Sequence, residues 1–470
     1  MKLARAKRVV APGFVLLIVA AAIASVPALA KSGATSSRPK AHRAAEAGAR
    51  MHVRKLSLLA SPSVDLCAKT GTITLPGLGT PVPIWGFALG TCASAGAPEL
   101  PGPVLEATAG DSVTVNLYVD SSFPDNVSLL FNGQDLALDW TGAAPGGMVS
   151  YTFTASNPGT YLYEAGTNSG SGSALRQVPM GLYGALIVRP LGAPSQAYDD
   201  PATAFDTEAA LVLSEIDPAL NNDPTGSTCP SEVQTVEITG GPTGGTFTLT
   251  FGSDTTGAIP FDATAADVQA ALEALLAIGA GNVVGGGGPL PRTDVTITFQ
   301  GTFAGQDVPQ MTATSSLTGG TSPDVSVATA RPGRPDCHLE NYNPTYWLIN
   351  GKAYPDTAPI TVSSESTLGH QPKVLFRYVD AGIEHHTMTM LGMHQRIFAK
   401  DGYPLNFPYD VVAETIAAGQ TVDTIATIPS GAAPGDKFPV YSRNLHLTNG
   451  DLSNPSHFPG GMLTFLTVGP

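Results

Sequence analysis

Three of the nine histidines fall within one run of twelve residues, Ile383-Glu384-His385-His386-Thr387-Met388-Thr389-Met390-Leu391-Gly392-Met393-His394. Imidazole is the commonest metal ligand that a protein supplies. Adjacent residues of a strand face opposite ways, so His385 and His386 cannot serve one site together. His385 and His394 are expected to face solvent or the far side of the sheet. His386 could join His446 and His457 downstream in a three-imidazole site of the kind that holds zinc or copper. The plainer expectation for His386 is a hydrogen-bonded core histidine. For His457, between Pro455 and Pro459, it is a surface loop.

No other motif carries chemistry. Gly285–Gly288 is not followed by Lys and Ser or Thr, so it reads as a flexible turn and not as a phosphate loop. Gly166 to Ser173 lacks the Gly-x-Ser-x-Gly pattern of a nucleophile elbow, since Asn168 stands midway between Gly166 and Gly170.

The elements that must position these residues are strands. The chain has 52 Gly and 40 Pro in 470 residues and only 13% charged residues, a turn-dense composition that suits many short strands. Strand-like runs lie at Thr72–Leu75, Val82–Ala88, Val104–Ala107, Ser112–Val119, Val127–Phe131, Met148–Thr154, Gly159–Glu164 and Leu182–Val188. Their spacing predicts a sandwich or Greek-key barrel over 56–195. A second such pattern begins at Ala210, breaks off near 230 and resumes from 336 to the end at 470, so the second domain is expected over 205–230 and 336–470.

Between them, 231–335 reads as an inserted β-rich module. Thr264-Ala265-Ala266-Asp267 followed by Val268, Leu272, Leu275 and Leu276 predicts one capped amphipathic helix within it. The fold class is therefore all-β, two β-barrels or sandwiches with the second interrupted. The four cysteines are expected to pair as Cys67 with Cys92 and Cys229 with Cys337, the latter clamping both ends of the insert. Lys2, Arg5, Lys7 and Arg8, an apolar run from Phe14 to Val26 and Ala28-Leu29-Ala30 predict a signal peptide over 1–30, followed by a disordered linker over 31–55. The formal charge of −14, more negative by four once that leader is removed, argues against a nucleic-acid partner.

The chain outside the insert resembles the multicopper oxidase family, built from cupredoxin domains. Pro101-Gly102-Pro103-Val104-Leu105-Glu106 with Ala109-Gly110-Asp111, then Gly159-Thr160-Tyr161-Leu162-Tyr163, and Gly181-Leu182-Tyr183-Gly184-Ala185-Leu186-Ile187-Val188 carry the likeness in the first half. Tyr346 to Lys352, Arg377-Tyr378-Val379-Asp380-Ala381-Gly382 and Gly460-Gly461-Met462 carry it in the second. The resemblance implies four histidine segments that hold one blue copper and an oxygen-reducing trinuclear cluster. The first falls on Leu130 and Asn132, the second on Glu164 and Gly166, the third on His386, Thr389 and Leu391, and the fourth on Tyr441, Ser442 and Arg443, with His446 and Met462 beyond.

All eight cluster positions thus carry another residue, Leu130, Asn132, Glu164, Gly166, Thr389, Leu391, Tyr441 and Arg443, and Ser442 replaces the copper thiolate. His386, His446 and Met462 remain at the blue-copper position, so the cofactor expectation is none or residual copper. Glu164 and Arg443 are expected to form an ion pair in the vacated cavity.

Two functions stand against each other. One is a secreted or cell-surface structural or binding component that works with an extracellular partner. The other is a laccase-like copper oxidoreductase using an altered site, with metal sequestration as a variant. A homo-oligomer is implied by the resemblance. The insert is similar to modules of bacterial secreted surface proteins.

Overall fold

Ser112–Val119 shows why this chain folds as sheets: Val113, Val115, Leu117 and Val119 alternate inward while the residues between them meet solvent. It lies third in a four-stranded sheet ordered Val82–Leu89, Ser63–Ile73, Ser112–Val119, Met148–Thr154. A second sheet, ordered Leu105–Thr108, Tyr183–Arg189, Gly159–Ala165, Leu129–Phe131, faces it across one apolar cluster that includes Leu66, Phe87, Leu117, Phe131 and Tyr163. The computed structural model describes residues 63–166, 174–224, 228–334, 337–366, 369–450 and 458–470. The expected leader and linker, most of the Gly166–Ser173 loop, and His457 lie outside the described residues.

Ser63–Ile73 begins nine residues before the strand expected at Thr72. It pairs with Val82–Leu89 on one side and Ser112–Val119 on the other. Asp65, Lys69 and Thr70 interrupt its apolar run, which hid it in the sequence. Cys67, buried on this strand, is bonded to Cys92.

The second half places a six-stranded sheet, Tyr346–Ile349, Thr207–Ile216, Lys373–Asp380, Thr421–Thr427, Gln395–Lys400, Tyr403–Val411, against a five-stranded one, Ile360–Val362, Leu463–Val468, Lys437–Ser442, His386–Met390, Ala413–Ile416. Val374, Phe376, Met388, Met390, Val440 and Met462 fill the space between. A further cluster, with Ile84, Leu162 and Ile187 on one side and Val212, Leu348 and Val379 on the other, joins the two halves.

Beside that cluster the Arg377 guanidinium, fully buried, donates to Glu208 at 2.5 Å and to Thr160 Oγ1 at 2.9 Å, and lies 3.4 Å from Asp423. Thr160 and Tyr198 donate to the two oxygens of Asp423. A charge this deep survives only because carboxylates and hydroxyls surround it.

Residues 233–331 form two further four-stranded sheets and their own apolar cluster, from Val236 to Val325. Their first and last strands, Val233–Thr239 and Asp324–Arg331, run antiparallel with Val233 opposite Arg331. Cys229 is bonded to Cys337 just outside that pair. The helix spans Ala265–Glu273 and carries the Thr264–Asp267 capping box that the sequence announced. It stops earlier than expected, and Leu276 is 99% exposed.

Gly285–Gly287 also departs from expectation. These glycines lie in a strand, Val283–Gly287, paired with Val295–Phe299. A Cβ at Gly285 would sit 2.4 Å from the Ala265 carbonyl oxygen, so glycine lets the helix rest against the strand.

Candidate functional site

His386 opens the strand His386–Met390 and is completely buried. Its Nε2 lies 3.2 Å from Oε2 of Glu215, which comes from the penultimate position of Thr207–Ile216 in the facing sheet. The other oxygen of Glu215 accepts from the N–H groups of Ile383 at 2.5 Å and Glu384 at 3.0 Å, and from the Tyr342 hydroxyl at 3.2 Å. This carboxylate presses on the chain so closely that a Cβ on Gly382 would sit 1.9 Å from Oε2.

Asp380 completes the acidic surroundings. Burial raises its carboxyl to about 7, with the charge of His386 opposing and that of Glu215 adding to the rise. Its Oδ1 accepts from the Gly382 N–H at 3.3 Å, while Oδ2 is buried with no hydrogen-bond partner.

His446 approaches from the loop after Lys437–Ser442. Its ring stacks on Trp347, centroids 4.6 Å apart at 11°, and meets His386 edge-on at 84°. The two Nδ1 atoms face each other at 3.3 Å. Its Nε2 lies 3.7 Å from Glu384.

Burial would lower the pKa of His386, but the bond to Glu215 and the charges of Asp380, Glu215 and Glu384 outweigh it and raise the value. Burial, then the charge on His386, push His446 down to about 4. The opposite shifts favour His386 as the donor and His446 as the acceptor across the Nδ1 pair.

Ser442 lies on the same sheet face, with the Met462 backbone beside it. Ser442 pairs with Met388, two residues from His386, so alternation turns both side chains to the His386 side. Its N–H donates to the Met462 carbonyl at 3.0 Å, and the Met462 N–H donates to the His446 carbonyl at 2.8 Å. Both side chains are buried, and the Ser442 Oγ has no partner.

The structure thus brings His386 and His446 into contact, with Ser442 on the same sheet face and Met462 linked to His446 and Ser442 through its backbone. His385 and His394 are exposed. Glu215, Asp380, Tyr342 and Trp347 escaped sequence reasoning. The usable signal was Glu215 itself, a lone acid in the apolar run Leu211-Val212-Leu213-Ser214-Glu215-Ile216.

The remaining positions are engaged otherwise. Glu164 accepts from Asn132 Nδ2 at 2.8 Å. Burial raises its carboxyl, which that bond partly offsets. The expected ion pair with Arg443 is not formed: strand pairing of Leu130 with Glu164 keeps Asn132 within reach, whereas Arg443 is exposed.

Thr389 Oγ1 donates to the Val412 carbonyl, Leu391 is 51% exposed, and a Cβ at Gly166 would meet Ser128 Oγ at 2.4 Å. Leu130 and Tyr441 are partly buried. Among the described residues, the groups of three His, Cys, Asp or Glu close enough to share an ion are built on the four disulfide cysteines, whose sulfurs are already bonded to each other.

A trinuclear copper cluster does not fit these residues, because none of the eight positions offers an imidazole. A blue copper does not fit fully either, because a hydroxyl stands where a thiolate is needed.

Residues 96–192 match the family model for multicopper oxidase. That stretch is similar to a multicopper oxidase domain. A segment of 127 residues is 34% identical to L-ascorbate oxidase of Cucurbita pepo var. melopepo, covering 25% of this chain and 21% of that one. Another match, 36% identical over 114 residues, is to the tail sheath protein of Mycobacterium phage Bxz1 and covers 24% of this chain and 18% of that one. The chain spans about a fifth of the length of the curated relatives it matches.

Among solved structures, a blue copper oxidase from Nitrosomonas europaea aligns with a TM-score of 0.50 at 19% identity, over 87% of this chain and 86% of that one. The chain shares the cupredoxin-like β-sandwich fold of that structure. No helix among the described residues is long and apolar enough to cross a membrane.

Proposed function

We propose that this multicopper oxidase-like protein lacks an oxygen-reducing centre and serves outside the cytoplasm as a structural or binding component. The observation that carries the reading is the use made of the former cluster positions. Asn132 and Glu164 bond to each other, Thr389 bonds to backbone, and no imidazole stands among the eight. Two disulfides suit an oxidising compartment, and the leader-like start of the sequence supports export.

One observation favours a second reading, a single residual copper or zinc ion. Two imidazole nitrogens bound to one tetrahedral ion at about 2.0 Å stand about 3.3 Å apart, and the facing Nδ1 atoms are separated by 3.3 Å. Ser442, on the same sheet face, and Met462, hydrogen-bonded to His446 through its backbone, carry a hydroxyl and a thioether nearby in the chain. A hydroxyl is a poorer copper ligand than the thiolate it replaces, and the Glu215 bond to Nε2 is the kind of outer contact that orients a ligating histidine.

The deciding experiment loads the mature protein in copper-replete and zinc-replete media and measures metal per chain, the absorption and paramagnetic resonance spectra, and oxygen uptake with a phenol. The expected result is no oxygen uptake. One copper per chain with phenol oxidation would overturn the reading, whereas one ion without turnover would assign the pair to metal binding.

A further inference from the structure

Two cavities adjoin on the outer face of the six-stranded sheet, beside its edge strand Tyr403–Val411. The larger, about 510 Å³, has an apolar floor of Met393, Phe398 and Ile425, and the second, about 270 Å³, is walled by Tyr198, Tyr403, Leu405 and three prolines. Asp200, Thr203, Phe398 and Pro408 line both, so the two form one trough. The larger volume lies within the range of small-molecule sites, roughly 300–1,000 Å³.

The charges along this trough are separated. Asp199 stands at the aromatic end, with no cation among its lining residues, while Asp200 borders both cavities and accepts from the Ala202 N–H through Oδ1. Lys373 and His394 stand at the other end, where Arg396 is already paired with Asp410 at 3.1 Å. Neither the Lys373 ammonium nor the Asp199 carboxylate has a partner among the described residues. Pro404 and Pro408 remove two N–H groups from the edge strand, so a ligand here is held by side chains and not as an added strand.

We propose that the trough binds a short unblocked peptide with apolar side chains, its ammonium at Asp199 beside the exposed Tyr403 ring, its carboxylate at Lys373. An ammonium gains from aromatic faces and carboxylates together, a carboxylate from a lysine that nothing else neutralises, and the floor between accepts hydrocarbon. This deepens the binding role proposed above by naming a ligand class. It does not involve the histidine pair, so metal content cannot decide it.

The test titrates the full mature protein with leucyl-phenylalanine, its N-acetylated form and its C-amidated form, by calorimetry or ligand-observed NMR. The unblocked dipeptide is expected to bind at millimolar concentration or better, and each blocked form about tenfold more weakly, the scale of one partly exposed charge-assisted contact. Lys373→Met should abolish the penalty of amidation and keep that of acetylation, and Asp199→Asn the reverse, with unchanged intrinsic fluorescence confirming both folds. Equal binding of all three peptides, binding governed by one end alone, or no binding at millimolar peptide would overturn the proposal.

Discussion

Replacing Gly382 by alanine tests the tightest contact of the histidine site. The backbone there is outside the left-handed region, so the new methyl causes no conformational strain of its own. Without a clash, such a change is neutral or stabilises by about 0.4–1 kcal/mol through the unfolded chain. The structure predicts the opposite sign. The added Cβ would lie 1.9 Å from Oε2, 2.6 Å from Cδ and 2.7 Å from Oε1 of Glu215.

Backbone cannot give way easily, because the Ala381 N–H is bonded to the Leu213 carbonyl at 2.9 Å. The carboxylate must therefore leave, abandoning His386, Tyr342 and two amides. Breaking a buried charged pair of this kind costs about 3–5 kcal/mol, and partial relaxation puts the expected loss near 3 kcal/mol. Urea unfolding followed by tryptophan fluorescence measures it, and Trp347, stacked on His446, reports locally. In a Glu215→Ala background the space is vacant, so Gly382→Ala should then cost less than about 1 kcal/mol. A single variant within about 0.5 kcal/mol of the parent would refute the reasoning.

Other perturbations have definite signs. Asp380, raised from 3.8 to about 7, keeps a proton in the folded state that the unfolded chain releases, so its contribution to stability falls as pH climbs from about 4 to 7. His446, lowered from 6.5 to about 4, refuses a proton that the unfolded chain accepts, so its contribution falls as pH drops through the same window. The two slopes oppose, and Asp380→Asn should leave stability rising with pH between about 4 and 6.5. Parallel pH series of the urea midpoint for parent and variant would contradict this. Arg377→Met strips Asp423 and Glu208 of a buried cation and should cost about 3–5 kcal/mol, measured by the same unfolding. Replacing Cys229 and Cys337 by serine should cost only about 2 kcal/mol, the low end for a disulfide, because Val233 and Arg331 already hold the loop ends together. A loss above about 4 kcal/mol in non-reducing urea melts would show that the pairing of strands does not do so.

Local patterns reached the elements but not their partners. Alternation marked Ser112–Val119, and the Thr264–Asp267 box marked a helix start, since both are written in neighbouring residues. Ser63–Ile73 was hidden because it is covered on both edges and so tolerates polar residues among apolar ones. The glycines at 285–287 read as a turn because their reason, the approach of the Ala265 carbonyl, lies twenty residues away.

The site divides the same way. His386 stood out, but Glu215, 171 residues earlier, becomes its partner only when two sheets face each other. The Glu164–Arg443 expectation rested on segments converging, and strand pairing gave Glu164 to Asn132 instead.

The insert departs from its host and returns to it at one doorway, with Val233 beside Arg331 and a sulfur bridge as the lintel. A guest carried this way imposes no distance constraint on the house. The same threshold would admit a different passenger of any size whose two ends emerge side by side, such as an affinity module or a fluorescent reporter, and it is the natural place to graft one for display.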